Sequence, residues 1–88
     1  MNLVLSGNLR RFASFEGEVQ LAATTVSEAL DSLVERFPDL KPVLYDANGK
    51  PRSVHRLYLN GAVLDVSDTD HSLEPADELG ILTAVAGG

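Results

Sequence analysis

The sequence predicts an α+β fold, a mixed sheet of about five strands with one main helix covering one face. Two observations carry that expectation. Only one stretch, Val26 to Phe37, has apolar residues at spacings of three and four. The other apolar stretches are short, and they either alternate with polar residues or run continuously, as strands do. Read in order they give strand, strand, helix, strand, strand, strand within 88 residues.

Asn2 to Ser6 is a short apolar run closed by Ser6-Gly7-Asn8, a first strand ended by a turn. Phe15 to Leu21 alternates, with Phe15, Gly17, Val19 and Leu21 on one face and Glu16, Glu18 and Gln20 on the other. That period of two is the pattern of a half-buried second strand. Asn8 to Ser14, carrying Arg10, Arg11 and Phe12, is the connection between them.

In the helix, Val26, Ala29, Leu30, Leu33, Val34 and Phe37 form one apolar stripe. Thr25 followed by Glu28 matches a capping box, with the hydroxyl accepting from the backbone N–H three residues on and the carboxylate reaching back to the cap. Pro38 clashes with a continuing helix, so the element ends near Arg36 or Phe37.

Asp39 to Ser53 is irregular, with Pro42, Pro51 and an Asn48-Gly49 turn, and Leu40, Val43, Leu44 and Tyr45 are expected to form a short helical turn against the core. Val54 to Leu59 and Ala62 to Val66 flank Asn60-Gly61, a strong hairpin signal. Ser67 to Pro75 is a polar connection with Leu73 as its core anchor. Glu78 to Ala84 is a last strand apolar enough for the middle of a sheet. Length and order suit a β-grasp roll whose last strand pairs beside the first. Residues 1–84 then form the domain and residues 85–88 a free C-terminal tail.

Composition bounds the function. A chain of this size buries only about 60–65% of its unfolded surface, so a deep, dry catalytic cavity is not expected. The hydrophobic fraction is 44%, an ordinary globular value, and the net charge is −6. Seven basic residues against thirteen acidic ones argue against a nucleic-acid footprint and favour steering toward a basic partner surface. Without cysteine there is no disulfide, thiolate metal site or catalytic thiol. The N-terminus has no basic n-region and no apolar stretch reaches membrane-span length, so a soluble, cytoplasmic monomer is the expectation.

The chain ends in Ala86-Gly87-Gly88 behind the apolar stretch Leu79 to Val85. A terminal glycine carboxylate is the least hindered acyl group a protein offers, and two residues without Cβ fit a narrow channel. That suits an enzyme which activates the carboxylate with ATP. The pattern, with Ile81-Leu82-Thr83-Ala84-Val85-Ala86-Gly87-Gly88 at its end, resembles the ThiS/MoaD family of ubiquitin-like sulfur carriers over the whole chain. Asn8-Leu9-Arg10-Arg11-Phe12 is similar to the segment after the first strand in molybdopterin-synthase small subunits. Gly49-Lys50 and His55-Arg56-Leu57-Tyr58-Leu59-Asn60-Gly61 resemble the longer actinobacterial carriers that supply sulfur for cysteine synthesis, the CysO type. Thr83 stands where many of these proteins carry proline.

The resemblance implies a role as substrate and donor, not as an enzyme. An adenylyltransferase related to ubiquitin E1 proteins (the MoeB/ThiF type) would adenylate Gly88 and convert it to a thiocarboxylate for a downstream synthase. ATP and Mg²⁺ would belong to that partner, since this chain has no Walker-type loop and holds no cofactor or metal of its own. Gly87 would keep the tail thin, Ala84, Val85 and Ala86 would form its stem, and Leu57 and Leu59 would supply an apolar contact patch near it. The acceptor could be cysteine, molybdopterin, thiamine or a specialised metabolite, with the longer chain and the His55-Arg56 region favouring the first or last.

Two other functions share these residues: a ubiquitin-like modifier joined through Gly88 to target lysines, and a scaffolding β-grasp domain that is never adenylated. His55 and His71 lack ligand partners at metal spacing, and Asp65, Asp68 and Asp70 lack the glycine and distal glutamate of a calcium loop. Arg10 and Arg11 could contact an acidic partner groove but read better as a solvated hairpin loop, and Ser6, Ser14 and Ser53 have no nucleophile context.

Overall fold

The computed structural model describes residues 1–6, 9–10, 12, 17–52, 55–65 and 68–83. Its elements are β1 (Asn2–Leu5), β2 (Glu18–Gln20), α1 (Val26–Arg36), α2 (Lys41–Leu44), β3 (His55–Leu59), β4 (Ala62–Leu64) and β5 (Glu78–Thr83). The five strands form one sheet in the order β2-β1-β5-β3-β4. β5 is central, parallel to β1 and antiparallel to β3. This is the mixed sheet expected, with the last strand beside the first.

Register turns the alternation of each strand into two apolar rows. Val19, Leu3, Leu79 and Leu59 line up across the sheet, and so do Leu5, Ile81, Leu57 and Leu64. The helix lays Val26, Ala29, Leu30 and Leu33, all buried, over these rows. Each Leu or Ile so buried contributes about 1.5–3 kcal/mol of transfer free energy. Leu9, Leu73 and Met1 close the core from the loops and the N-terminus.

α1 starts where the sequence places it, but its cap differs in one contact. The Thr25 hydroxyl accepts from the Glu28 N–H at 3.1 Å. The Glu28 carboxylate turns to Thr24, accepting from its N–H at 2.9 Å and its hydroxyl at 2.8 Å. Thr24 offers two donors where the Thr25 amide offers one, and these contacts hold the Glu28 carboxyl below the usual range. The next amides are also occupied: Val26 N–H donates to the His71 carbonyl and Ser27 N–H to the Thr69 carbonyl. Phe37 caps the other end, its N–H on the Leu33 carbonyl at 2.8 Å, and Pro38–Leu40 leads as a 3₁₀ turn into α2. Leu40 and Leu44 return to the core, as their spacing predicts.

β2 is shorter than expected, with Gly17 in a bend before it and Leu21 held to the Met1 carbonyl after it. β4 ends at Leu64, short of the predicted Val66; Phe15, Val54 and Val66 lie outside the described residues. Between β3 and β4, Asn60 and Gly61 both take positive φ, 51° and 87°, the requirement of a type I′ turn. The Asn60 amide donates to the Asp77 carboxylate at 2.9 Å and its carbonyl accepts from the Glu78 N–H at 2.9 Å. No described helix is long and apolar enough to cross a membrane.

Two measurements check this account. Leu33→Ala should cost about 2–5 kcal/mol in urea unfolding, because the cavity faces both apolar rows. Asp77 accepts from the Glu74 N–H first and then from Asn60, which lowers its carboxyl below the ordinary value. A carboxyl depressed in the fold stabilises above its unfolded pKa, and the gain disappears as pH falls through the folded value. The Tm difference between the native chain and Asp77→Asn should therefore be full at neutral pH and vanish in strong acid.

Candidate functional site

The end of β5 is where the chain passes into Ala84, and Thr83 pairs there with His55 at the start of β3. Gly88, Gly87, Ala86, Val85 and Ala84, the residues of the expected tail, lie outside the described residues.

Leu57 and Leu59, expected to form a contact patch, face the helix instead. Leu57 is 2% exposed between Ile81 and Leu64, and Leu59 is half-buried against the same core. The reason is the period of two: the more apolar set of β3 is taken by the core, and the residues between them face outward. Across the open face, Glu18, Val4, Gly80, Tyr58 and Val63 are in register, and Leu82 stands beside Arg56 one row closer to the chain end.

Val63 is 69% exposed and Leu82 39%, so this face carries the described large apolar side chains most open to water. At Gly80 an added Cβ would meet Tyr58 at 3.8 Å, an ordinary contact, so crowding does not require glycine there. The exposed apolar residues are one residue out of phase with Leu57 and Leu59. Alternation around the buried Leu79 and Ile81 was the signal that could have found them.

The remaining polar candidates are accounted for by packing. His55 is buried, and its Nε2 lies 2.8 Å from the Val43 carbonyl. A carbonyl only accepts, so Nε2 carries the proton and ties β3 to α2. Asp65, Asp68 and Asp70 are exposed in the loop that the Asp68 N–H closes onto the Asp65 carbonyl. Among the described residues no group of three His, Cys, Asp or Glu could hold a metal ion. Because the first amides of α1 are occupied, its N-terminus offers no open cradle for phosphate.

A cleft of about 270 Å³ lies between α1 and the turn after α2, lined by Ser27, Asp31, Tyr45, Lys50 and Thr69 among others. The Tyr45 hydroxyl donates to Asp31 at 2.9 Å. Burial, followed by that hydrogen bond and the Asp31 charge, pushes the phenol above its ordinary range and keeps it protonated.

The ThiS family model matches residues 3–88. Among solved structures, the small archaeal modifier protein 1 of Methanosarcina acetivorans is 28% identical with a TM-score of 0.86, covering 99% of this chain and 94% of that one. The Amycolatopsis orientalis BexX/CysO complex is similar at 27% identity and TM-score 0.83, covering 99% and 98%. Haloferax volcanii SAMP1 is 25% identical with a TM-score of 0.82, covering 99% and 97%. Among curated proteins none matches this chain.

The two faces of the sheet should respond differently to truncation. Leu57→Ala should lose about 2–5 kcal/mol in chemical unfolding. Val63→Ser, on the open face, should stay within about 0.5 kcal/mol of the native chain.

Proposed function

The chain belongs to the ThiS family, and from that premise we propose that it is a sulfur carrier whose Gly88 carboxylate is the reactive group. The observation that supports this most is that the family match runs through residue 88 itself. A carboxylate oxygen of Gly88 attacks the α-phosphorus of ATP, the bond to the bridging oxygen breaks, and pyrophosphate leaves. The acyl-adenylate is the electrophile that a bare carboxylate is not. Sulfide attacks its carbonyl carbon and expels AMP; a persulfide does the same, and a thiol then cleaves the acyl disulfide. Either route leaves a thiocarboxylate, a soft anionic nucleophile for a downstream synthase.

The chain contributes an unhindered acyl end and a recognisable body, and an E1-like adenylyltransferase of the MoeB/ThiF type contributes ATP and Mg²⁺. In this reading Gly87 and the Ala84 to Ala86 stem occupy the partner's channel, while Val4, Tyr58, Val63 and Leu82 take over the contact role expected of Leu57 and Leu59. The acceptor we favour is cysteine or a specialised metabolite, in line with the similarity to a CysO solved in complex with BexX. A second reading, the modifier joined through Gly88 to lysines, draws support from the two neighbours named as archaeal modifier proteins.

Intact mass from the native cell distinguishes the readings. The carrier gains about 16 Da when oxygen is replaced by sulfur, and since oxidation of Met1 adds nearly the same, the gain must be alkylated by iodoacetamide and map to the C-terminal peptide. Isopeptide conjugates without that species would establish the modifier. One residue added after Gly88 should abolish sulfur transfer while leaving the Tm unchanged; transfer with the extension still attached would sink the mechanism.

A further inference from the structure

The net charge of −6 conceals a separation of charge along the sheet. Strand directions place the ends of β1, β4 and β5 and the starts of β2 and β3 at one pole, the pole at which Thr83 passes into Ala84. Exposed Glu18 and Asp65 stand there too, outnumbered by Arg10, Lys41, Arg52 and Arg56. Arg56 is exposed there, beside Leu82 on the open face. Arg52 precedes His55 and donates through Nε to the Pro42 carbonyl at 3.2 Å, which sets α2 and its Lys41 at the same end. Arg10 lies over Gly17, its Nε 3.4 Å from where a Cβ would stand, and the Gly17 carbonyl accepts from Leu5 N–H. The opposite pole holds Glu74, Asp77 and Glu78 around the Asn60-Gly61 turn, with the Met1 ammonium as the cation among them. Arg56 and Lys41 are both exposed.

Building on the carrier reading, we propose that this basic pole is the docking end and that its partner is a protein surface whose apolar seat for Leu82 and Tyr58 is rimmed by carboxylates. Net charge alone pointed to a basic partner. At contact, however, charges more than about 8–10 Å away are largely screened, so the partner experiences the local arginines and not the distant acids. Exposed arginines bordering an apolar strip also suit a protein interface, where Arg and Tyr are enriched and rim charges set the on-rate. The acidic far pole orients the encounter, because an acidic rim repels it and admits the chain tail-end first. An RNA would be the competing anion, but thirteen acidic residues against seven basic ones oppose the approach of a polyanion.

The test is binding of the whole chain to the MoeB/ThiF-type adenylating enzyme from its own genome, followed by fluorescence anisotropy at about 50 and 300 mM NaCl. Arg56→Glu and Arg10→Glu should each weaken binding about tenfold at low salt and much less at high salt, whereas Glu74→Lys at the far pole should change it less than about twofold. Arg56→Gln should fall between, and an unchanged Tm verifies that each variant is folded. Equal affinity of Arg56→Glu and the native chain would overturn the proposal, as would tighter binding by Arg56→Glu, a loss in Glu74→Lys as large as that in Arg56→Glu, or no binding by the native chain. Tighter, Arg56-dependent binding to poly(U) RNA than to the enzyme would also overturn it, in favour of a nucleic-acid surface. ATP–pyrophosphate exchange in the same mixtures separates the two levels. Exchange that is indifferent to Arg56 sinks only the acidic-rim inference, and absence of exchange by the native chain sinks the carrier reading.

Discussion

Parallel pairing of β1 with β5 is the constraint on which the rest depends. It joins Asn2 to Glu78 and Leu5 to Ile81, almost the full length of the chain apart. That closure costs more conformational entropy than a hairpin, so it forms only because Leu3, Leu5, Leu79 and Ile81 come out of water together. Once β5 is the middle strand, β3 must flank it, and the chain end must leave from the interior of the sheet and not from its margin. The strand from which the chain passes into Ala84 is thus placed by the pairing most distant in sequence among the described strands.

The sheet divides its labour by face. Its inner face holds Val19, Leu3, Leu79, Ile81 and Leu57 beneath a helix whose ends are capped at both termini. Among the described residues no helix covers the outer face. It presents Val4, Tyr58, Val63 and Leu82, with Arg56 beside Leu82 at one end and Glu78 at the other. The same alternation that builds the core therefore produces a second, weaker apolar surface.

Much of the fold was legible because its signals are local. The Val26 to Phe37 stripe with Thr25 and Pro38 sets a helix within one residue of its observed bounds, since capping and proline sterics act within a turn. Asn60-Gly61 specifies a turn that needs two positive φ angles, which only such residues take readily. Where signals were not local, expectation went astray. Glu28 chose Thr24 over Thr25 on the arrangement of three donors, and Leu57 was read as surface because a short strand does not declare which face is inward.

By itself the sequence determined the elements, their order, the membership of a family and the chemical plausibility of a glycine carboxylate as the acyl group. These depend on neighbours within a few residues or on composition. Tertiary structure alone decided which side chains of β3 and β5 meet water, and how a chain of net charge −6 comes to have a basic end. Both depend on register and strand direction, which bring residues distant in sequence side by side, and neither a hydropathy pattern nor a charge count carries that information.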